Sequence, residues 1–199
     1  MMLKRLLILT TVSLLTVVVA TSAVACTGKK VVIGRTATLQ QELLARVVME
    51  LIDKRTGTAV NEVIFDTPEA AHAALLKGEV DLGLEYTGVI GASLLSQAPT
   101  ADADALYALV RKSYSADLNL MAIRPLGFEN RTLAPAGSAN QAVVILRKET
   151  WKKFPALDRL LEKLSGKISD QTMQEMEAKA AAGDVPKVAN EFLRANKLY

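Results

Sequence analysis

The sequence predicts an α/β fold, a mostly parallel sheet flanked by helices and followed by further C-terminal helices. Three observations carry that reading. Between Val31 and Gly88 short apolar runs alternate with amphipathic helical patterns, the order that builds parallel strands through right-handed crossovers. From Lys148 onward the pattern is helical only. Half of the 199 residues are hydrophobic, which suits one ordinary globular core.

Val31–Ile33 reads as a buried strand ending at Gly34, and the loop Arg35–Thr38 opens a helix over Leu39–Lys54. Its Leu43, Leu44, Val47, Val48, Leu51 and Ile52 recur at the three-four spacing of one buried face, and Thr56-Gly57 stops it. Val60–Phe65 reads as a second strand. Thr67-Pro68-Glu69 then supplies a capping hydroxyl, a proline at the first helical position and an acid at the positive dipole end. That helix ends at Gly78. Glu79–Leu84 reads as a third strand, with Val80, Leu82 and Leu84 on one face and Asp81 and Gly83 on the other. Helices are expected near Val89–Ser96 and Asp102–Ser115, and strands at Leu118–Ile123 and Ala142–Leu146, with a turn at Ala134–Ser138 between them. Three helices follow, about Lys148–Leu164, Ser169–Ala182 and Val185–Asn196, with Ser169 and Asp184 as caps and Gly166 and Gly183 as stops.

Residues 1–25 read as a signal peptide: Lys4 and Arg5, the apolar run Leu6–Val19, and the small residues Ala23-Val24-Ala25. An uncleaved anchor is the other reading of Leu6–Ala25. Cys26 follows directly. It resembles the lipidated cysteine of a bacterial lipoprotein, although Ala23 stands where such signals usually carry Leu; ordinary cleavage leaving an unpaired thiol is the alternative. As the sole cysteine it cannot form a disulfide within the chain. The expected location is extracytoplasmic, in the periplasm, with membrane contact only through a lipid anchor on Cys26. Loss of Lys4 and Arg5 leaves 22 basic against 21 acidic residues, a balance that argues against a nucleic-acid partner.

Chemistry-bearing residues are few. His72 is the sole histidine, on an Ala-rich helix away from Cys26, and is read as structural or solvent-facing. No metal-spaced cluster, nucleophile–histidine pair or phosphate-cradling loop is visible, so neither a cofactor nor an enzyme is expected. The best candidate site is the edge Glu85-Tyr86-Thr87-Gly88, where a strand gives way to a helix and ligands of open α/β sheets collect. The plain structural alternative is that Tyr86 caps the core and Thr87 the next helix. Tyr107 and Tyr114 are read as packing along the sheet, and Trp151 and Phe154 as sealing a helix onto the core.

Several stretches in order carry a resemblance. VVIG before a Gln-bearing helix start, RTG at Arg55–Gly57, LLKGEVDLGLEYTG at Leu75–Gly88, RPLGFENRTL at Arg124–Leu133, and the run Trp151–Ala180 are similar to the substrate-binding proteins of glycine betaine/choline-type ABC importers. The resemblance covers nearly all of Val31–Leu198. It implies the type II periplasmic-binding-protein fold, two α/β lobes around a ligand, with an importer permease and a small, quaternary ammonium solute as partners. On matching positions Gln41, Tyr86 and Thr87 become the implied ligand contacts. Two departures stand out. A second lobe would lie where this chain has only Leu133–Val144, so a single lobe, residues 27–199, is expected, alone or as a homodimer. The first-loop pattern S-K-x-F-T-E-Q is replaced from Arg35 to Gln40, leaving Gln41. Tyr86 alone makes one wall of the aromatic cage that holds quaternary ammonium ions. The function implied is solute binding for uptake; the alternative is a one-lobe lipoprotein that no longer binds osmolyte and meets a protein partner instead.

Overall fold

The parallel half of the sheet is built from three strand–helix units whose ends are fixed by local chemistry. The computed structural model describes residues 30–199; the proposed signal peptide and Cys26 lie outside them. Strand β1 (Val31–Thr36) leads to helix α1 (Leu39–Thr56), whose first turn is capped by the Thr38 hydroxyl accepting the Gln41 N–H and whose end is the left-handed Gly57. Strand β2 (Val60–Phe65) leads to α2 (Pro68–Lys77), capped by Thr67 and closed at Gly78 with φ +80°. Strand β3 (Leu82–Tyr86) passes directly into α3 (Thr87–Val89), which widens into a π turn over Ile90–Leu94. Helix α4 (Ala103–Asp117) starts on the Asp102 cap and leads to the short β4 (Leu120–Ala122).

The sheet order is β2-β1-β3-β5-β4, where β5 is Ala142–Arg147. β1 runs parallel to β2 and β3, as the crossover argument requires, while β5 is antiparallel to both β3 and β4. Between β4 and β5 the chain doubles back on itself: Leu126 N–H bonds to Ala142 O, Ala142 N–H to Phe128 O, and Asn130 N–H to Asn140 O. Ser138 N–H closes the turn on Pro135 O, next to Gly137 at φ +75°. No further α/β layer is built at this point.

Apolar side chains fill both faces of the sheet. Leu82, Leu84 and Tyr86 of β3 pack with α1 and with the C-terminal helices, α6 (Leu157–Leu161, continued by a 3₁₀ turn to Leu164), α7 (Asp170–Ala180) and α8 (Val185–Ala195). Val80, Val143 and Ile145 pack on the other side with α2, Ile90 of the π turn and α4. Ser169 and Asp184 cap α7 and α8 as expected.

Four expectations need correction. The first strand does not end at Gly34: Arg35 and Thr36 continue it, paired with Ile64 and Phe65 of β2. The third strand begins at Leu82, not Glu79, because Gly78 and the bend after it keep Glu79–Asp81 out of the pleat. Val80 therefore joins the face opposite Leu82, and Asp81 becomes a link, accepting the Val32 N–H at 2.9 Å and the Thr150 hydroxyl at 2.5 Å. The long helix over Lys148–Leu164 is broken: α5 (Lys148–Lys153) stops at Phe154, which leaves the helical region ahead of Pro155, and α6 starts afresh. Trp151 does not seal a helix. It is 36% exposed, and Phe154 alone of that pair packs against the core.

Candidate functional site

Glu85, Tyr86 and Thr87 are consecutive, and the strand pleat sends the first two to opposite sides of the sheet. Thr87 is fully buried. Its backbone N–H bonds to Gln141 O at 2.9 Å and its hydroxyl accepts the Gln141 N–H at 3.0 Å, so it fastens β3 to the start of β5. Gln41 is also buried. Its Oε1 accepts the Thr36 N–H at 2.6 Å and its Nε2 donates to Leu84 O at 3.2 Å, bridging the ends of β1 and β3. The structure thus brings the three nominated residues to one edge, but it turns Gln41 and Thr87 inward, onto backbone groups.

Tyr86 points toward α1 and is 2% exposed. Its hydroxyl donates to Gln40 Oε1 at 2.7 Å, and the Asn130 Nδ2 donates to the same oxygen at 2.7 Å. The Gln40 Nε2 in turn donates to Glu177 Oε1 at 3.2 Å. Burial pushes the Tyr86 phenol up to about 12, against the amides of Asn130 and Gln41 and with the Glu177 carboxylate. Over this network lies an open groove of about 410 Å³ between the start of α1, the Phe128–Thr132 stretch and α7. Glu129, Asp170 and Glu177 line it with Arg131, whose side chain is 80% exposed and lies 3.9–4.0 Å from Asp170 and Glu129.

Glu85 faces the other way. Its Oε1 lies 3.1 Å from His72 Nδ1, and its Oε2 accepts the Tyr114 hydroxyl at 2.7 Å. His72 and Tyr114 are both buried, with ring centroids 5.6 Å apart, so His72 is structural and not solvent-facing. Burial and the Glu85 carboxylate hold the Tyr114 phenol far above its ordinary value. The cleft beside this cluster, lined by Pro68, Leu84, Ile90 and Leu94 and also touched by Gln41 and Tyr86, has about 20 Å³ of free space, room for about one water.

Sequence reasoning missed Gln40, Asn130 and Glu177. The three-four periodicity of α1 puts Gln40 and Gln41 on adjoining flanks and does not say which meets the core. Glu177 reads as a solvated helix face, and nothing in the sequence announces that it reaches α1.

The model of the substrate-binding domain of ABC-type glycine betaine transport systems matches residues 29–134 and 131–195. The chain belongs to that family. The two matched stretches meet inside the turn between β4 and β5, the place where the chain doubles back. The fold is similar to that in the crystal structure of a glycine betaine/carnitine/choline ABC transporter (TM-score 0.77, 15% identity, 86% of this chain and 99% of that one). It is also similar to apo YehZ from Escherichia coli (0.75, 14%, 86% and 100%) and to lactococcal OpuAC, closed and complexed with glycine betaine (0.53, 11%, 85% and 97%). At these identities the likeness is one of fold. A comparison with curated proteins finds no match. As a family member the chain is a solute-binding component related to glycine betaine/choline transport, and the reading as an interaction module without a solute is not favoured. The family is one of extracytoplasmic transport proteins rather than of enzymes. Among the described residues no helix is long and apolar enough to cross a membrane.

Proposed function

We propose that this chain binds a small solute carrying a quaternary ammonium group in the open groove above Tyr86 and presents it to an ABC importer permease. The observation that carries the reading is the groove itself, between the start of α1, the Phe128–Thr132 stretch and α7, with Glu129, Asp170 and Glu177 on its walls. Its volume falls within the range of small-molecule sites, about 300–1,000 Å³. With one tyrosine near the site, and that one buried, carboxylates take over the role that an aromatic cage plays elsewhere: they attract a cation over several ångströms and remain solvated when it leaves. None of the three residues first nominated lines the groove directly; Tyr86 stands behind Gln40 and is the one a solute would meet there, while Gln41 and Thr87 hold the strand ends on either side. The single lobe, residues 27–199, works from a lipid anchor on Cys26 after removal of residues 1–25, and the permease or a second copy covers the open side on delivery.

Calorimetric titration of glycine betaine and of choline into the full chain tests this. Saturable heat that weakens in Glu177→Gln and disappears in Tyr86→Ala supports the reading. No heat from either solute at millimolar concentration contradicts it.

A further inference from the structure

Beneath the groove two donors meet at a single oxygen. The Tyr86 hydroxyl and the Asn130 amide both point at Gln40 Oε1, each at 2.7 Å. Both donors are fixed from behind. Tyr86 is part of β3 and 2% exposed. Asn130 Oδ1 accepts the Leu133 N–H at 3.0 Å, while the Asn130 backbone N–H bonds to Asn140 O and its C=O accepts from Asn140 Nδ2 at 2.7 Å. The orientation of the Gln40 amide is settled by the same contacts. Turned over, it would set its NH₂ against the Asn130 NH₂ and its oxygen against the Glu177 carboxylate.

Gln40 is different in kind from the groups that hold it. It is half-buried on the first turn of α1, at the groove wall, on a side chain with three rotatable bonds. Two preorganised donors converging on one oxygen form the arrangement that recognises a carboxylate or carbonyl oxygen, and here an internal carboxamide fills it.

We propose that Gln40 is an internal stand-in for the ligand: its carboxamide oxygen occupies the position of the solute's carboxylate oxygen, and a bound solute displaces it. This rests on the groove being the solute site as proposed above. Displacement frees Glu177 from the Gln40 Nε2 and leaves Glu129, Asp170 and Glu177 around the far end of the solute. The class selected is therefore a zwitterion, an oxygen acceptor and an organic cation a few bonds apart, in preference to a cation without a carboxylate. Because the competitor is tethered, it lowers the apparent affinity by the fraction of time it occupies the site.

The test uses the full chain with ¹³C-labelled tyrosine rings and titrations of acetate, glycine betaine and choline, followed by NMR. The chains compared are wild type, Gln40→Ala, Gln40→Met (which keeps the stem but not the acceptor), and Gln40→Met/Asn130→Ala. Acetate is expected to shift one tyrosine signal, the one absent from Tyr86→Phe, and to bind both Gln40 variants about fivefold or more tighter than wild type. Glycine betaine is expected to follow the same order, choline to be indifferent to Gln40, and the added Asn130→Ala to abolish the gain. Equal or weaker acetate binding in the folded Gln40 variants overturns the stand-in, whatever the other solutes do. Acetate binding of the expected order without saturable glycine betaine or choline binding keeps the oxygen site and overturns the solute function proposed for the groove.

Discussion

Glu85 and Tyr86 are neighbours in β3, both buried or nearly so and both hydrogen-bonded at their polar ends, yet they are built to different purposes. Glu85 is met by His72 and Tyr114, two buried rings on α2 and α4 that face no ligand-sized space. Tyr86 is met by Gln40, a half-buried side chain at the wall of an open groove. A buried carboxylate surrounded by buried partners gains nothing by letting go, because the freed charge has no water to receive it. A buried phenol behind a solvated amide can exchange one acceptor for another. The lesson is that burial alone does not separate a structural polar group from a functional one. On the function proposed above, what separates the two is whether the partner is itself buried or stands at the wall of a groove.

The comparison breaks most visibly on the Glu85 side. Glu85→Ala leaves the buried His72 ring nitrogen and Tyr114 hydroxyl only each other, 3.5 Å apart, and is expected to lower stability by about 3 kcal/mol, read from urea denaturation. Glu85→Gln, which retains an acceptor for Tyr114, is expected to cost less.

Alkaline pH sharpens the contrast on the Tyr86 side. The Tyr86 pKa in the folded chain is raised from 10.0 to about 12, so the folded state holds a proton that the unfolded state has lost. The contribution is fully present below pH 10 and is lost as pH rises from 10 to 12, roughly 3 kcal/mol in all. Denaturation midpoints measured across that window are expected to fall less steeply in Tyr86→Phe than in wild type.

Gln41→Ala tests whether the neighbouring glutamine is a fastener. It leaves the Thr36 N–H and the Leu84 carbonyl without their side-chain partner and is expected to cost about 2 kcal/mol, with groove binding reduced only through the shifted edge. Gln40→Ala is the smallest change. Water reaches the groups it leaves, so the loss should stay below about 1 kcal/mol in the same denaturation assay. Near-equal costs for the two glutamines would erase the distinction drawn between them.

Much of this was legible in the residues. Thr38, Thr67, Ser169 and Asp184 announce helix starts, Gly57 and Gly78 announce stops, and the alternation from Val31 to Gly88 announces the parallel strands. The family resemblance was legible too, in motifs spread from Val31 to Ala180. Contacts between elements distant in sequence were not legible. Tyr86 finds Gln40 across 46 residues and Gln40 finds Glu177 across 137, and no local pattern encodes either pairing. The Glu85–His72–Tyr114 cluster was hidden likewise. An alanine-rich helix shows its polar residue plainly but not the carboxylate that sits beneath it, and no alternation announces the bend after Gly78 that sets Val80 on the face opposite Leu82.

The groove is tested most directly by locating the solute in it. With ¹³C-methyl methionine in the full chain, and Met173→Leu to assign the signal, intermolecular nuclear Overhauser contacts from the N-methyl protons of glycine betaine report which methyl groups the solute touches. Met173 lines the groove, so a contact between its ε-methyl and the bound solute is the expected result. Saturable binding with no contact to Met173, or with contacts only on the His72 side of the sheet, would contradict the account.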